Sequence, residues 1–371
     1  MGYHIMAFKQ YYKAGDKKFY NLFRAFDHYK EHQQFIEYVI DPEFVNNLQN
    51  IKRPNNLNAG YIKNLMIKGL KNIRSKHNKI RLAFGGGTDS WTILKLCVDN
   101  DIYIDELVCG LVSFNGNVRS DIEYLPALKY AKLHEGKTIG EMIIERPTKA
   151  NLDFINNKHW FKDTNGPLLP IRPFYCQLGK ERMNDAQKGF ITITGMEKPT
   201  VQIKDGKPYW TQIDVKAIAE WMGIDNHYPL FYDKDNPELT VAMTYTFLDA
   251  LPANMTDTDG VYEYETIDDQ HIKDKVLDNF GTRVEKQWLN YHFLGKKLYD
   301  LNIKTKYFIK ELKELGMQDY LDKWYATMQY IYETYKDIPY SVTMKDRHLK
   351  TVGRFCQSIP IGADKFGEVK A

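Results

Sequence analysis

The chain has 371 residues and a net charge of +3, with a pI near 8.3, a balance that makes no electrostatic case for nucleic acid. Hydrophobic residues make up 43% and aromatics 14% of it, enough for two domains with cores and too much for extensive disorder. No apolar run approaches the roughly 20 residues that span a bilayer, and no signal-peptide core is present. Four scattered cysteines (Cys97, Cys109, Cys176, Cys356) without a CxxC pair give no support to a zinc or iron–sulfur site and suit a reduced, cytoplasmic protein.

Residues 1 to about 57 are aromatic and mixed in charge. Phe19 to Tyr29 has helical spacing, and Arg53-Pro54-Asn55-Asn56 breaks it. From Asn58, the positions Tyr61, Leu65, Met66, Gly69, Leu70 and Ile73 recur every three to four residues, predicting an amphipathic helix that leads into a strand at 80–84. That strand stops at Gly85-Gly86-Gly87-Thr88-Asp89-Ser90, and helix resumes from Trp91 to Val98 with Ile93, Leu94, Leu96 and Cys97 turned to the core. A strand, a glycine turn and a helix N-terminus together make a phosphate seat. Glycines let backbone approach an anion, the first helical N–H groups have no partners of their own, and Thr88 and Ser90 add hydroxyls. Asp89 is the odd member: phosphate repels a carboxylate unless a cation lies between them, so Asp89 calls for Mg²⁺. The bland alternative is a strand-to-helix turn that holds nothing.

A second buried strand is expected at 106–114, a helix at about 119–134, a third strand at 140–145, a helix at 174–188 and a fourth strand at 189–195. That alternation is the rhythm of an α/β fold with a parallel sheet. Ligands of such sheets sit at the carboxyl ends of strands, which puts Val112, Ser113 and Phe114 beside Phe84 and Gly85, where an adenine would meet backbone groups. Gly195, with Glu197 two residues on, repeats the logic of the first loop. A mainly helical region is expected from Tyr209, where Val215, Ile218, Ala219 and Trp221 have helical spacing. Asn236-Pro237 caps a helix to about 251, and helices over 270–336 carry the core stripes Ile309, Leu312, Leu315 and Trp324, Met328, Ile331, Tyr335. The segment from Met344 to Phe355 is basic.

Gly85 to Ser90, after its hydrophobic strand, resembles the PP-loop of ATP pyrophosphatases, Ser-Gly-Gly-x-Asp-Ser, with Gly85 where that family has serine. Walker A is not matched, since no Gly-Lys-Ser/Thr follows. Residues 58–205 are similar to the synthetase domain of asparagine synthetase and β-lactam synthetase. Leu111 to Asn117, Ser120-Asp121 opening a helix, and Ile193-Thr194-Gly195 with Glu197 resemble that domain, although the last loop is two residues shorter than the family's Thr-Gly-x-x-x-Asp. The resemblance implies an adenine nucleotide alpha hydrolase-like (HUP-type) domain at 58–205, an N-terminal helical or irregular extension at 1–57, and a mainly helical closing domain at 206–371. It implies ATP contacts from Leu82, Phe84, Gly85, Gly86, Gly87, Thr88, Asp89, Ser90, Val112 and Gly195. It also implies Mg²⁺ held by Asp89 and Glu197, and a basic residue returning to the adenylate, Lys350 first and Arg354 second. A glutaminase is not expected, because Gly2 stands where that family of amidotransferases has its cysteine.

The implied reaction is an AMP- and pyrophosphate-forming ligation: a carboxylate or amide of a small-molecule or nucleoside substrate is adenylated, and an amine donor displaces AMP. Two alternatives stand beside it. One is a sulfur-handling PP-loop enzyme of the tRNA-thiolation or sulfonucleotide-reductase type. The other is an ATP-binding protein without catalysis, which Gly85 permits. No motif names the acceptor substrate or the oligomeric state.

Overall fold

Three sheets organise the computed structural model, which describes residues 11–19, 21–39, 42–110, 124–145, 153–157, 159–162, 189–195, 198–204, 207–212, 227–256, 260–262, 270–280, 301–335, 338 and 357–360. The first sheet is antiparallel, in the order β2-β1-β3, from Tyr11–Ala14 (β1), Lys17–Phe19 (β2) and Ile36–Val39 (β3). The helix Leu22–His32 (α1) packs on it. Only the helix was legible in the spacing. It starts at Asn21, whose side chain accepts from the Arg24 N–H at 3.1 Å and so satisfies one of the unpartnered donors of the first turn. The helix Pro42–Asn50 (α2) follows.

The helix Ala59–Lys76 (α3) is capped by the Asn58 side chain and buries Ile62, Leu65, Met66, Gly69, Leu70 and Ile73, the stripe expected from its period. At its C-terminal end Arg74 donates to Asp105 at 2.6 Å, and Asp105 also accepts from the Ile80 N–H at 2.7 Å. One carboxylate thus fixes the helix to the start of two neighbouring strands. In chain order come Lys79–Ala83 (β4), Thr88–Asp99 (α4), Ile104–Gly110 (β5), Tyr124–His134 (α5), Ile139–Glu145 (β6) and Phe190–Thr194 (β7). The strands Thr200–Lys204 (β8) and Lys207–Gln212 (β9) form a hairpin, and His227–Pro229 (β10) follows. The second sheet has five parallel strands in the order β10-β7-β4-β5-β6, with α4 packed on β4 and α5 on β6.

Register divides this sheet into two unlike faces. Ile80, Leu82, Leu107, Cys109, Ile191 and Ile193 share one face and are buried. The other face carries a polar row, His227, Thr192, Arg81, Glu106 and Glu141, one residue from each strand. Arg81 Nε donates to Glu106 Oε2 at 2.8 Å, and the two side chains are only 7% and 17% exposed. The Arg81 guanidinium also lies 4.7 Å from the centre of the Phe190 ring.

The third sheet is antiparallel, β11-β8-β9-β12, and includes Gly260–Tyr262 (β11) and Gln357–Pro360 (β12). Here the structure departs from the sequence reading. Tyr209 does not begin a helix; it lies in β9, paired with β8 on one side and β12 on the other. Trp210 is fully buried between Phe44 and Tyr232, with ring centroids 5.7 and 5.9 Å away. The expected boundary near 205 falls between the two strands of the hairpin, and β10 of the parallel sheet lies beyond it.

The remaining described α-helices are Pro237–Ala250 (α6), Ala253–Thr256 (α7), Gln270–Phe280 (α8), Leu301–Glu314 (α9) and Gln318–Tyr335 (α10). Leu312, Trp324, Met328, Ile331 and Tyr335 are buried as their spacing predicts, while Leu315 is only half-buried. Asn236 and Pro237 stand at N-cap and N1 of α6, but the Asn236 amide does not cap. It donates instead to the Leu65 carbonyl of α3 at 2.8 Å. Among the described residues no helix is long and apolar enough to cross a membrane.

Candidate functional site

The strand order decides where a ligand has room. From β4 the chain builds outward through β5 and β6, then returns to place β7 and β10 on the opposite side of β4. β4 and β7 therefore flank a topological switch point, and ligands of parallel sheets bind at such points, at the carboxyl ends of the strands. The three-glycine turn leaves β4 at that point, and Gly195 follows the end of β7.

The pairing of β4 continues for one residue, with the Phe84 N–H donating to the Val108 carbonyl at 2.8 Å. Gly86 then takes φ +68°, in the left-handed region that favours glycine. Gly87 is the N-cap of α4, and no side chain caps the helix there. The first-turn N–H groups of α4 are thus left without an intrahelical acceptor, at the positive end of its dipole. Ser90 Oγ accepts from the Gly85 N–H at 3.2 Å and donates to the Gly87 carbonyl at 3.3 Å. Its hydroxyl closes the turn on itself.

Space around the turn is unequal. A Cβ built on Gly85 or Gly87 meets nothing within 4 Å. On Gly195 it would lie 2.9 Å from Ile93 Cδ1 and 3.0 Å from Asp89 Cβ. The end of β7 is pressed against the first turn of α4, and only glycine allows that approach.

Across this contact lies a residue that the sequence reading did not single out. Lys198 Nζ is 2.6 Å from Asp89 Oδ1, with side chains 9% and 27% exposed. The contact is an ion pair without hydrogen-bond alignment, since Oδ1 is buried and has no hydrogen-bond partner among the described residues. The only sequence signal was a basic residue beside the acid of the second loop.

Of the other expected contacts, Leu82 and Phe84 are 0% and 2% exposed, so their side chains belong to the core and only their backbone could meet a ligand. Thr88 opens α4, and its side chain lies outside the described residues, as do Val112, Glu197, Lys350 and Arg354. His227 Nε2 contacts Thr194 Oγ1 at the end of β7. Burial pushes the imidazole down to about 3, so it is neutral at pH 7. The thiols of Cys97 and Cys109 are buried and pushed up to about 12 by desolvation, which leaves no thiolate there at neutral pH.

Among the described residues no group of three or more His, Cys, Asp or Glu could hold a metal. A nucleotide-borne Mg²⁺ needs less, since one or two carboxylates suffice when phosphates and waters complete the shell. Asp89 beside an open turn fits that role through Oδ2, because Oδ1 is committed to Lys198. No protein-family model matches the chain, and no curated protein matches its sequence.

Proposed function

We propose that the chain is a PP-loop ATP pyrophosphatase with a HUP-type nucleotide domain, related in chemistry to asparagine synthetase. In this reading it adenylates a carboxylate or amide, releases pyrophosphate and passes the acyl group to an amine. The observation that carries the reading is the uncapped glycine turn after β4 lying at the topological switch point of a parallel sheet, with Gly195 just past β7 packed against the first turn of α4.

The backbone N–H groups of residues 86–90 hold the β- and γ-phosphates as the departing unit. A substrate oxygen attacks the α-phosphorus while the bond from that phosphorus to the pyrophosphate oxygen breaks. Asp89, with Glu197, would hold Mg²⁺, which neutralises charge gathering on the leaving group when it is bound. Lys350 or Arg354 would meet the adenylate. The protein supplies positioning and charge and little acid–base chemistry, in keeping with a neutral His227. The sulfur-handling alternative gains nothing from Cys97 and Cys109, both buried as thiols.

The test is a melting curve with and without MgATP, followed by chromatography of nucleotide products. Ligand at a hundred times its dissociation constant stabilises by about 2.7 kcal/mol, a readable shift. With aspartate or another carboxylate and ammonium, the expected products are AMP and pyrophosphate. No shift at millimolar MgATP, or ADP as main product, would sink the reading.

A further inference from the structure

The Asp89–Lys198 pair sits where its lysine is badly placed for stability alone. Its side chain is only 9% exposed, and taking a charge out of water is costly unless it is paired. It also lies at the N-terminus of α4, the positive end of the helix dipole, where cations are disfavoured and anions welcome. Asp89 offsets both effects. A pair kept only for packing has no need of that location, since an apolar pair of similar volume would serve as well or better. A cation kept for an incoming anion does need it. Lys198 stands between β7 and β8, two residues before β8, and its Nζ reaches to 2.6 Å of a first-turn side chain of α4. An anion seated on the first-turn N–H groups would be a neighbour of Asp89, the residue that this ammonium touches.

We infer that Lys198 is a phosphate-binding residue, a cation built into the polyphosphate seat, and that Asp89 Oδ1 is its positioning group. This inference rests on the reading of residues 85–90 as a polyphosphate seat. The carboxylate then has two tasks on two oxygens: Oδ1 orients the lysine, and Oδ2 is left for a metal. Because the pair is neutral, the turn does not repel phosphate when no metal accompanies it. Part of the affinity is therefore independent of Mg²⁺, and that part depends on Lys198.

Titration calorimetry of the full chain with ATP and with inorganic pyrophosphate, each in Mg²⁺ and in EDTA, tests this. Lys198→Met should weaken both ligands by roughly tenfold to a hundredfold, the loss of one charge-assisted hydrogen bond, in EDTA as well as in Mg²⁺. The double variant Asp89→Asn/Lys198→Met should bind more weakly than Asp89→Asn. If the two bind equally, Lys198 serves only to neutralise Asp89 and the inference is overturned. Melting curves identify any variant that has not folded. Lys198→Gln and Lys198→Arg extend the test, with the arginine expected within about tenfold of the parent and the glutamine well below it; equal binding by the two would also overturn the inference. A parent chain that binds pyrophosphate but not ATP retires the adenylating reading and leaves Lys198 in place. A folded parent chain that binds neither overturns both.

Discussion

Glycines around the switch point answer to different constraints, and substitution separates them. Gly86 needs its positive φ, so Gly86→Ala should cost about 1–2 kcal/mol of stability. Gly195 needs its missing side chain, because a methyl there would meet Asp89 and Ile93. Gly195→Ala should cost about 1–3 kcal/mol and, by displacing the first turn of α4, weaken ATP binding. Gly85 is under neither constraint, so Gly85→Ser should leave stability within about 0.5 kcal/mol and binding undiminished. Urea unfolding and calorimetry of the three variants check the order. His227 sets a different kind of limit. The folded chain keeps its imidazole neutral down to about 3, whereas an unfolded chain protonates it near 6.5. Below pH 6.5 the unfolded state therefore binds the extra proton. The contribution of His227 is fully present above that pH and is lost as pH falls towards 3. Urea midpoints of His227→Gln at pH 7.5 and pH 5 should differ less than those of the parent; an equal difference would remove His227 from the acid limb.

Elements of the parallel sheet are joined by its polar row as well as by apolar packing. Glu106→Gln removes the carboxylate that Arg81 holds in a largely buried pair and should cost about 3 kcal/mol, while Arg81→Met/Glu106→Leu should recover most of that loss. Chemical denaturation of both variants decides; a single variant as stable as the parent would show the pair to be solvated. The long elements of this layer were legible, since α3 and α4 repeat their apolar residues at helical spacing, β5 carries Leu107-Val108-Cys109 and β7 is built of Phe190, Ile191 and Ile193 with two threonines. Shorter ones were not. Three residues of β10, His227–Pro229, carry no period at all. In β9, Tyr209 to Gln212 stand just before Val215, Ile218 and Ala219, whose spacing drew the expected helix back to Tyr209. The turn at 85–90 was legible because three glycines and an acid are rare together. Lys198 was not, because its meaning comes from a partner 109 residues away that only the strand order brings near.

For the molecule as a whole, residues 11–50 act as a clasp between distant parts of the chain. Phe23 meets Phe161 and Tyr335 at 4.8 and 5.6 Å between ring centroids, and Asp27 accepts from Tyr335 at 2.7 Å and from Lys162 at 2.5 Å. Phe44 covers Trp210. A chain beginning at residue 58 would expose Trp210 and Tyr335, both fully buried here. It should be insoluble or melt without a cooperative transition; a sharp transition in a scanning melt would show the segment to be dispensable.

The strand order also has a meaning in time. As the chain leaves the ribosome, β4, its glycine turn and β5 emerge early, yet the other neighbour of β4 is still unmade. At about 5–20 residues per second, roughly 5–20 s pass between Asp89 and Lys198. For that interval β4 presents an unpaired apolar edge, the kind of surface on which nascent chains aggregate. The junction of β4 and β7 is among the last parts of the sheet to be born, so a nucleotide bound there as proposed would stabilise the finished protein and not scaffold its synthesis.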